Sequence, residues 1–207
     1  MLKVSSALLS AKPYVSAQLT IIEAPDFTLT QYAGSEKDLK KALGKLPSQV
    51  GIVQDGLLRI SPSQVWQLLT SSQPTLRGPL HGHLKVKENS DRPHPEERAL
   101  ASLEGSPDIA LLPNIFKTDL SSSRTRIEIS GGPARDVLAK CTAIDFHKNE
   151  FKPNTFAQTG IHHVPVLIQC VAGEIFHLYV LRTFALSIWD HLTDAALEFN
   201  DARYSGP

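Results

Sequence analysis

The sequence predicts an α+β fold made of two βαββα lobes with mainly antiparallel sheets. Three observations lead to this prediction. Short apolar or alternating segments are joined by tight-turn sequences, such as Asp55-Gly56 and Val171-Ala172-Gly173. The segment Thr183 to Asn200 follows helical spacing along its whole length. The order strand, helix, strand, strand, helix occurs once in each half of the chain, as in an α+β protein.

The first lobe opens with the segment QLTIIEAPDFTLT, Gln18 to Thr30, which is rich in threonine and isoleucine. This composition favours a strand, interrupted near Pro25. A helix is predicted next. Ser35 is its expected N-cap because Asp38 stands at the capping-box spacing, and Pro47 ends it.

Two short strands and a second helix complete the first lobe in this prediction. The strands span Gln49 to Val53 and Leu57 to Ile60, with the turn Asp55-Gly56 between them. The segment PSQVWQLLT follows, and it predicts a helix with Pro62 at the first helical position.

The second lobe repeats this order. The alternating segment Arg124 to Ser130 predicts a strand, and a short helix follows with Gly132 as N-cap and Pro133 as its first residue. Val164 to Cys170 and Glu174 to Arg182 predict a hairpin whose strands are apolar on both faces. The closing helix, residues 183–200, has the clearest periodicity in the chain.

The middle of the chain carries a segment without a sustained core pattern. We predict an N-terminal lobe at 1–84, a disordered insertion at 85–108 and a C-terminal lobe at 109–207. Within the insertion, RPHPEERALASLEG resembles peptides translated from interspersed palindromic repeats, which indicates an insertion without function. A binding loop is the alternative, although the composition favours disorder.

Composition sets limits on function. The 207 residues include 42% apolar residues and balanced charge, with 21 basic and 21 acidic side chains. A nucleic-acid binder needs an excess of basic residues, so balanced charge argues against that class. No apolar run has the length of a membrane span, and no signal peptide is predicted. Two cysteines form no disulfide framework, which favours the cytosol.

The pair Gly131-Gly132 is the first candidate for chemistry, because glycines at the start of a helix can cradle a phosphate. A dinucleotide fingerprint needs three spaced glycines, and a P-loop needs Lys-Ser/Thr after its last glycine. The sequence SGGPARD has neither, since Arg135-Asp136 follows the proline. The pair is therefore predicted to turn a corner.

Histidines and cysteines offer further candidates. His81-x-His83 and His162-His163 fall in predicted loops and lack further ligands at a metal-binding spacing. His177 is expected to be a satisfied polar residue of the core.

The pair Cys141 and His147 could form a nucleophile and its base, but a helix end disfavours a thiolate. We predict a packed, inert cysteine. No metal ligand, cofactor-binding residue or catalytic residue is assigned.

Three segments carry a resemblance to a known family. They are TDLSSSRTRIEISGGPARDVLAKCTAIDF, FKPNTFAQTGIHHVPVLIQC and FHLYVLRTFALSIWDHLTDAALEF, with LLRISPSQVWQLL agreeing more loosely. They resemble the gamma, or small, subunit of heterotetrameric sarcosine oxidase, whose fold is similar to the folate-binding fold of the glycine-cleavage T-protein. The resemblance covers roughly 49–84 and 109–199.

The resemblance implies a truncated folate-binding fold in a non-catalytic subunit of a cytoplasmic complex. That complex demethylates sarcosine oxidatively to glycine, forms hydrogen peroxide and passes the one-carbon unit to tetrahydrofolate. FAD, FMN, NAD and tetrahydrofolate would belong to the larger subunits. The alpha subunit would be the first partner, with beta and delta in the complex, and neither nucleic acid nor membrane is expected as a partner.

Two alternatives stay open, a stand-alone folate-binding protein and a stand-alone aminomethyltransferase of one-carbon metabolism. Under the subunit hypothesis, Arg182, Phe184 and Trp189 are the predicted surface for subunit contact. Their alternative role is structural, because Trp189 lies on the apolar stripe of the closing helix.

Overall fold

The computed structural model of this chain describes residues 6–8, 11–70 and 114–200. The insertion predicted at 85–108 and the pair His81-x-His83 lie outside these ranges. The domain boundaries at 84 and 109 therefore stay predictions. No helix in the described ranges is long and apolar enough to cross a membrane.

The described residues form two antiparallel sheets and three α-helices. In chain order the strands are β1 (Tyr14–Val15), β2 (Leu19–Glu23), β3 (Phe27–Gly34), β4 (Val53–Gln54), β5 (Leu57–Ser61), β6 (Gln64–Thr70), β7 (Ile115–Asp119), β8 (Arg124–Gly131), β9 (Thr155–Ile161), β10 (Val164–Ala172) and β11 (Ile175–Leu181). The helices are α1 (Glu36–Leu43), α2 (Ala134–Cys141) and α3 (Ala185–Ala196), and 3₁₀ turns at Arg182–Phe184 and Leu197–Asn200 flank α3.

The larger sheet has six strands in the order β1-β2-β8-β11-β10-β9. Helices α2 and α3 share the largest apolar core with its central strands. Fully buried members of this core include Ile129 of β8, Leu178 of β11, Leu138 of α2 and Leu192 of α3. This burial fixes α3 against the sheet, as its apolar stripe predicts.

The smaller sheet has five strands in the order β4-β5-β6-β3-β7. Its Tyr32 and Val65 pack with Leu39 of α1 on one side. Its other side meets the larger sheet in an apolar layer made of Leu29, Leu58, Trp66 and Leu68 with Phe156, Leu167 and Tyr179. The molecule is therefore layered, with helices outside and two sheets facing each other.

Strand pairing crosses the middle of the chain. Strand β2 pairs with β8, so Ile21 lies opposite Ile129 in the larger sheet. Strand β7 pairs with β3 in the smaller sheet, with Tyr32 opposite Lys117. Each sheet thus takes a strand from the other half of the sequence.

The α+β class with antiparallel sheets is confirmed, but the helix predicted from Pro62 onward is wrong. Residues Gln64–Thr70 form β6, and Pro62-Ser63 is the hairpin turn that joins it to β5. Val65 faces the α1 side while Trp66 and Leu68 face the larger sheet, so both faces of the strand are buried. A strand buried on both faces loses the alternation that marks strands in a sequence.

The predicted start of α1 agrees with the structure, but its predicted end at Pro47 is wrong, because the helix ends at Leu43 with Gly44 as its C-cap. The strand predicted over Gln49–Val53 forms only at its end, as β4. The Ser35 hydroxyl accepts a hydrogen bond from the Asp38 amide at 3.2 Å, which makes it the N-cap of α1. Helix α2 begins one residue later than predicted, with Pro133 rather than Gly132 at the N-cap position. The closing helix is where the sequence places it. The β10–β11 hairpin is confirmed, but its turn is Gly173-Glu174 rather than Val171-Ala172-Gly173, because Ala172 pairs with Ile175.

Candidate functional site

Gly131 and Gly132, which we call the glycine corner, join β8 to α2. Gly131 allows the end of β8 to lie close to the start of β2. Gly131 has a φ of +126°, and a Cβ there would lie 2.0 Å from the Gln18 carbonyl oxygen. Its amide donates to the Glu174 carbonyl at 3.1 Å. Only glycine fits this position, because any Cβ would collide with the Gln18 carbonyl and the φ is one that other residues rarely adopt.

A groove of about 750 Å³ lies beside this corner. Residues from the corner, from α2 and from the loop after α2 line it: Gln18, Gly132, Pro133, Arg135, Asp136, Ala139, Ile144, Asp145, Phe146, His147, Lys148 and Glu174. At its rim the Lys148 ammonium pairs with the Glu174 carboxylate at 3.2 Å. Acidic and basic groups are mixed along its wall, so the groove has no single preferred ligand charge.

Arg135 is a buried charged residue in the wall of this groove, and its side-chain nitrogens donate to main-chain carbonyls. Nε and Nη2 donate to the Gly173 carbonyl at 3.1 and 2.8 Å, while Nη1 donates to the carbonyls of Phe146 and Phe151. The guanidinium also lies over the Phe176 ring, 5.1 Å from its centroid. Arg135 therefore fastens the loop after α2 to the β10–β11 turn and is not free to hold an anionic ligand.

A second polar cluster lies between the two sheets. Arg126 donates from Nε to the Ala24 carbonyl at 3.0 Å and from Nη2 to the Asp26 carbonyl at 3.3 Å, and its guanidinium lies over the Phe27 ring. It thereby ties β8 to the segment that links β2 and β3. The hydroxyl of Tyr179 donates to the Gln169 amide oxygen at 3.2 Å, and burial raises the pKa of this tyrosine.

An imidazole–carboxylate pair stands at the edge of this cluster. His177 Nε2 lies 3.2 Å from Glu128 Oε2, and both side chains are largely buried. Burial lowers the pKa of His177, the Arg126 charge lowers it further, and the Glu128 carboxylate opposes both effects. His177 lies in the core as expected, but its Nδ1 has no hydrogen-bond partner, so the residue is only half satisfied.

Two further histidines, His162 and His163, occupy a hairpin tip. His162 and His163 form the two-residue loop between β9 and β10, with φ values of 47° and 67°. The His191 ring of α3 lies 5.3 Å from the His162 ring. Among the residues that the structure describes, no group of three or more His, Cys, Asp or Glu side chains could hold a metal ion.

Cys141 lies buried at the end of α2, and burial raises the pKa of its thiol to about 11. A thiol with this pKa is protonated at neutral pH and is a poor nucleophile. The His147 ring nitrogen Nδ1 accepts a hydrogen bond from the Asn149 amide at 3.3 Å, so this nitrogen is engaged locally. Both observations agree with a packed, inert cysteine.

The predicted contact surface divides into an exposed and a buried part. Arg182 and Phe184 belong to the 3₁₀ turn before α3, where the Arg182 amide donates to the Ser123 carbonyl at 3.0 Å. Phe184 is 44% exposed, whereas Trp189 is 5% exposed and belongs to the core. The burial of Trp189 is compatible with its alternative, structural role, and the contact surface stays a prediction.

Sequence reasoning missed other apolar side chains that reach solvent. Phe116 on the edge strand β7, Val15 on the edge strand β1, and Leu186 and Leu197 around α3 are all exposed. Leu186 and Leu197 could have been found, since they lie off the apolar stripe of a helix whose buried face was recognised.

The fold defines a class of protein first. The chain is similar in structure to the glycine cleavage system aminomethyltransferase T from Bartonella henselae, with a TM-score of 0.52 and 13% identity. That match covers 86% of this chain and 46% of the other. The antiparallel α+β arrangement is thus the one found in part of the T-protein.

The second half of the sequence is similar to a particular family. Residues 114–198 match the model of the sarcosine oxidase, gamma subunit family. Over 85 residues the chain is 29% identical to the sarcosine oxidase subunit gamma of Corynebacterium sp. strain U-96, covering 41% of this chain and 42% of that protein.

A solved structure agrees with the family match. The chain is similar to a chain of the heterotetrameric sarcosine oxidase from Corynebacterium sp. U-96, solved in complex with pyrrole 2-carboxylate, with a TM-score of 0.68 and 20% identity. The match covers 96% of this chain and 94% of the other. The predicted resemblance to the gamma subunit of heterotetrameric sarcosine oxidase is confirmed.

Proposed function

We propose that this chain is a non-catalytic gamma subunit of a cytoplasmic, heterotetrameric sarcosine oxidase. In this role it supports oxidative demethylation of sarcosine to glycine, with one-carbon transfer to tetrahydrofolate and formation of hydrogen peroxide. The family match over residues 114–198 is the observation that carries the proposal. FAD, FMN and NAD would be bound by the larger subunits, with the alpha subunit as the first partner.

The polar residues of this chain support a packing role. Gly131 packs directly against the Gln18 carbonyl of the same chain, so this glycine serves a contact within the fold. The donors of Arg135 are committed to main-chain carbonyls, so the groove lacks a free guanidinium for the carboxylates of a folate. Both residues stabilise the fold, as is expected of a subunit whose role is to pack against its partners.

Co-expression of the tagged chain with the proteins encoded beside it tests the proposal. We expect affinity capture to recover larger subunits whose absorbance spectrum shows flavin, and sarcosine-dependent peroxide formation in the captured complex. The tag alone, expressed with the same neighbours, is the control. A colourless chain recovered without partners would refute the subunit role.

The predicted contact surface can be tested in the same capture. We expect Arg182→Ala and Phe184→Ser to lower recovery of the partner without changing the thermal unfolding of the chain. Phe116→Ser is the matched control, because Phe116 is also exposed but lies on the edge of the other sheet. If recovery were equal for all variants, the turn 182–184 would have no part in assembly.

Independent folate binding is the second candidate, favoured by the structural similarity to a T-protein. Titration of the purified chain with tetrahydrofolate distinguishes it from the first. Saturable binding by the isolated chain, followed by fluorescence of its two tryptophans, would favour this candidate. We expect no binding. Transfer of an aminomethyl group by the isolated chain would identify the remaining alternative, an aminomethyltransferase.

A further inference from the structure

The outward side of α3 carries four exposed residues and one half-buried threonine. Leu186, Asp190, Thr193, Asp194 and Leu197 follow one another at helical spacing, within an arc of about 100° if the helix is continued through the final 3₁₀ turn. We call these five residues the α3 outer face. The two leucines, 45% and 56% exposed, stand at its ends, and the two aspartates stand between them.

The charges on this face are unfavourable for the isolated helix. Asp190 and Asp194 stand at an i,i+4 spacing, where like charges destabilise a helix. Asp194 also lies in the last turn, where the helix dipole favours a cation, and no Lys or Arg occurs within Ala185–Ala196.

The nearby cation does not neutralise the two aspartates. Lys140 of α2 pairs with Glu198 at 3.0 Å and donates to the Ala195 carbonyl at 3.1 Å. In the described part of the chain neither Asp190 nor Asp194 forms an ion pair. Within residues 6–8, 11–70 and 114–200, no cation therefore compensates these two charges.

A shallow groove of about 280 Å³ adjoins this face, between β1 and the second half of α3. Tyr14 forms part of its wall and is held in place by a hydrogen bond from its hydroxyl to the Ala196 carbonyl at 3.0 Å. Val15, the next residue, is 69% exposed. The face thus has apolar surface and two carboxylates around a fixed aromatic side chain.

We propose that the α3 outer face and this groove dock a basic segment of a partner polypeptide, with two Lys or Arg side chains opposite Asp190 and Asp194 and apolar residues against Leu186 and Leu197. Charge complementarity selects this occupant, because a neutral or acidic segment would leave two carboxylates uncompensated beside buried leucines. The inference rests on the proposed function, since the partner is the larger subunit of the complex.

The test uses the complex of this chain with the larger subunit encoded beside it, with chain and subunit purified and mixed at defined concentrations. Reversing both charges in Asp190→Lys/Asp194→Lys should weaken binding at least about tenfold in Kd, because two cations would then face two cations. Raising the salt concentration should weaken the wild-type complex more than that of Asp190→Asn/Asp194→Asn.

Two controls separate docking from folding. Glu150→Lys changes an exposed acidic residue in the loop after α2 and should leave the Kd unchanged. The Asn variant removes the like-charge pair, so the isolated chain should unfold at an equal or slightly higher temperature while its complex is weaker. A purely structural role for the aspartates would not produce this opposite pair of effects.

The outcomes distinguish the inference from the function on which it rests. If the wild type binds the larger subunit and charge reversal leaves the Kd unchanged, the docking face is wrong and the subunit role stands. If the wild type binds no larger subunit, the subunit role is refuted together with the docking face. Loss of self-association on reversal, with binding of the larger subunit intact, would assign the face to a second copy and overturn the proposal.

Discussion

Replacing Arg135 by methionine should destabilise this chain more than any change at the rim of the same groove. The guanidinium donates to three main-chain carbonyls, those of Gly173, Phe146 and Phe151. Hydrogen bonds to a charged group contribute about 1.5–3 kcal/mol each. Methionine fills a similar volume and removes a buried charge, which offsets part of this loss. We therefore expect the free energy of unfolding to fall by about 3–5 kcal/mol.

Urea unfolding of the isolated chain, followed by tryptophan fluorescence, measures this change. With a typical slope of about 2 kcal/mol per molar urea, a loss of about 4 kcal/mol lowers the midpoint by about 2 M. Arg135→Lys keeps the charge but cannot reach three carbonyls with one ammonium, so it should fall between the wild type and the methionine variant.

Lys148→Met is the matched control for this experiment. Lys148 lines the same groove, and its side chain is 72% exposed and makes one ion pair, to Glu174. Its removal should change the free energy of unfolding by less than about 0.5 kcal/mol. A loss below about 1 kcal/mol for Arg135→Met would show that these hydrogen bonds do not fasten the loop, and the reasoning would be refuted.

Three further outcomes are expected. Burial, reinforced by the Arg126 charge, lowers the pKa of His177 from its usual 6.5, so stability should be lost as the pH falls from about 6.5 towards the lower folded-state value. His177→Gln should flatten that loss in urea titrations at about pH 5.5 and 7.5, and an unchanged slope would exclude His177 as its source. Burial raises the pKa of the Cys141 thiol to about 11, so Ellman's reagent at about pH 8 should react with it only after unfolding; rapid labelling of the folded chain would contradict this. Gly131→Ala places a Cβ 2.0 Å from a carbonyl oxygen at a φ of +126° and should cost at least about 2 kcal/mol in thermal unfolding, whereas Gly173→Ala, with nothing within 4 Å, should be nearly neutral.

Local patterns in the sequence predicted most elements because those elements have local causes. The N-cap at Ser35 depends on a hydroxyl and an amide three residues apart, and the closing helix depends on one apolar stripe. The hairpin at β10–β11 depends on a two-residue turn, Gly173-Glu174, between two apolar strands. None of these features requires knowledge of the rest of the fold.

Strand β6 shows where local patterns fail. Its residues Val65, Trp66 and Leu68 face two different apolar layers, and their spacing imitates a helix. The strand is decided by pairing with its hairpin neighbour β5 and with β3, which lies much earlier in the sequence. Pro62, taken as a helix start, instead occupies a hairpin turn.

The groups in the candidate sites were harder to assign for the same reason. Arg135 follows the glycine corner, which in the sequence was a candidate phosphate site. Its hydrogen-bond partners are carbonyls of the loop after α2 and of the β10–β11 turn, which lie later in the chain. The pairing of His177 with Glu128 depends on the register of β8 against β11. Register between strands almost fifty residues apart cannot be predicted from spacing alone.

The exchange of strands between the two halves has a consequence for how the chain folds during synthesis. Strand β2 can pair with β8 only after Ile129, the partner of Ile21 and 108 residues later in the chain, has been synthesised. β8 in turn needs β11, which ends at Leu181. Strand β2 can pair with β1 early, but its other edge remains unpaired until β8 has been synthesised. Such long-range pairing makes folding slow and leaves the nascent chain dependent on chaperones or on early contact with a partner.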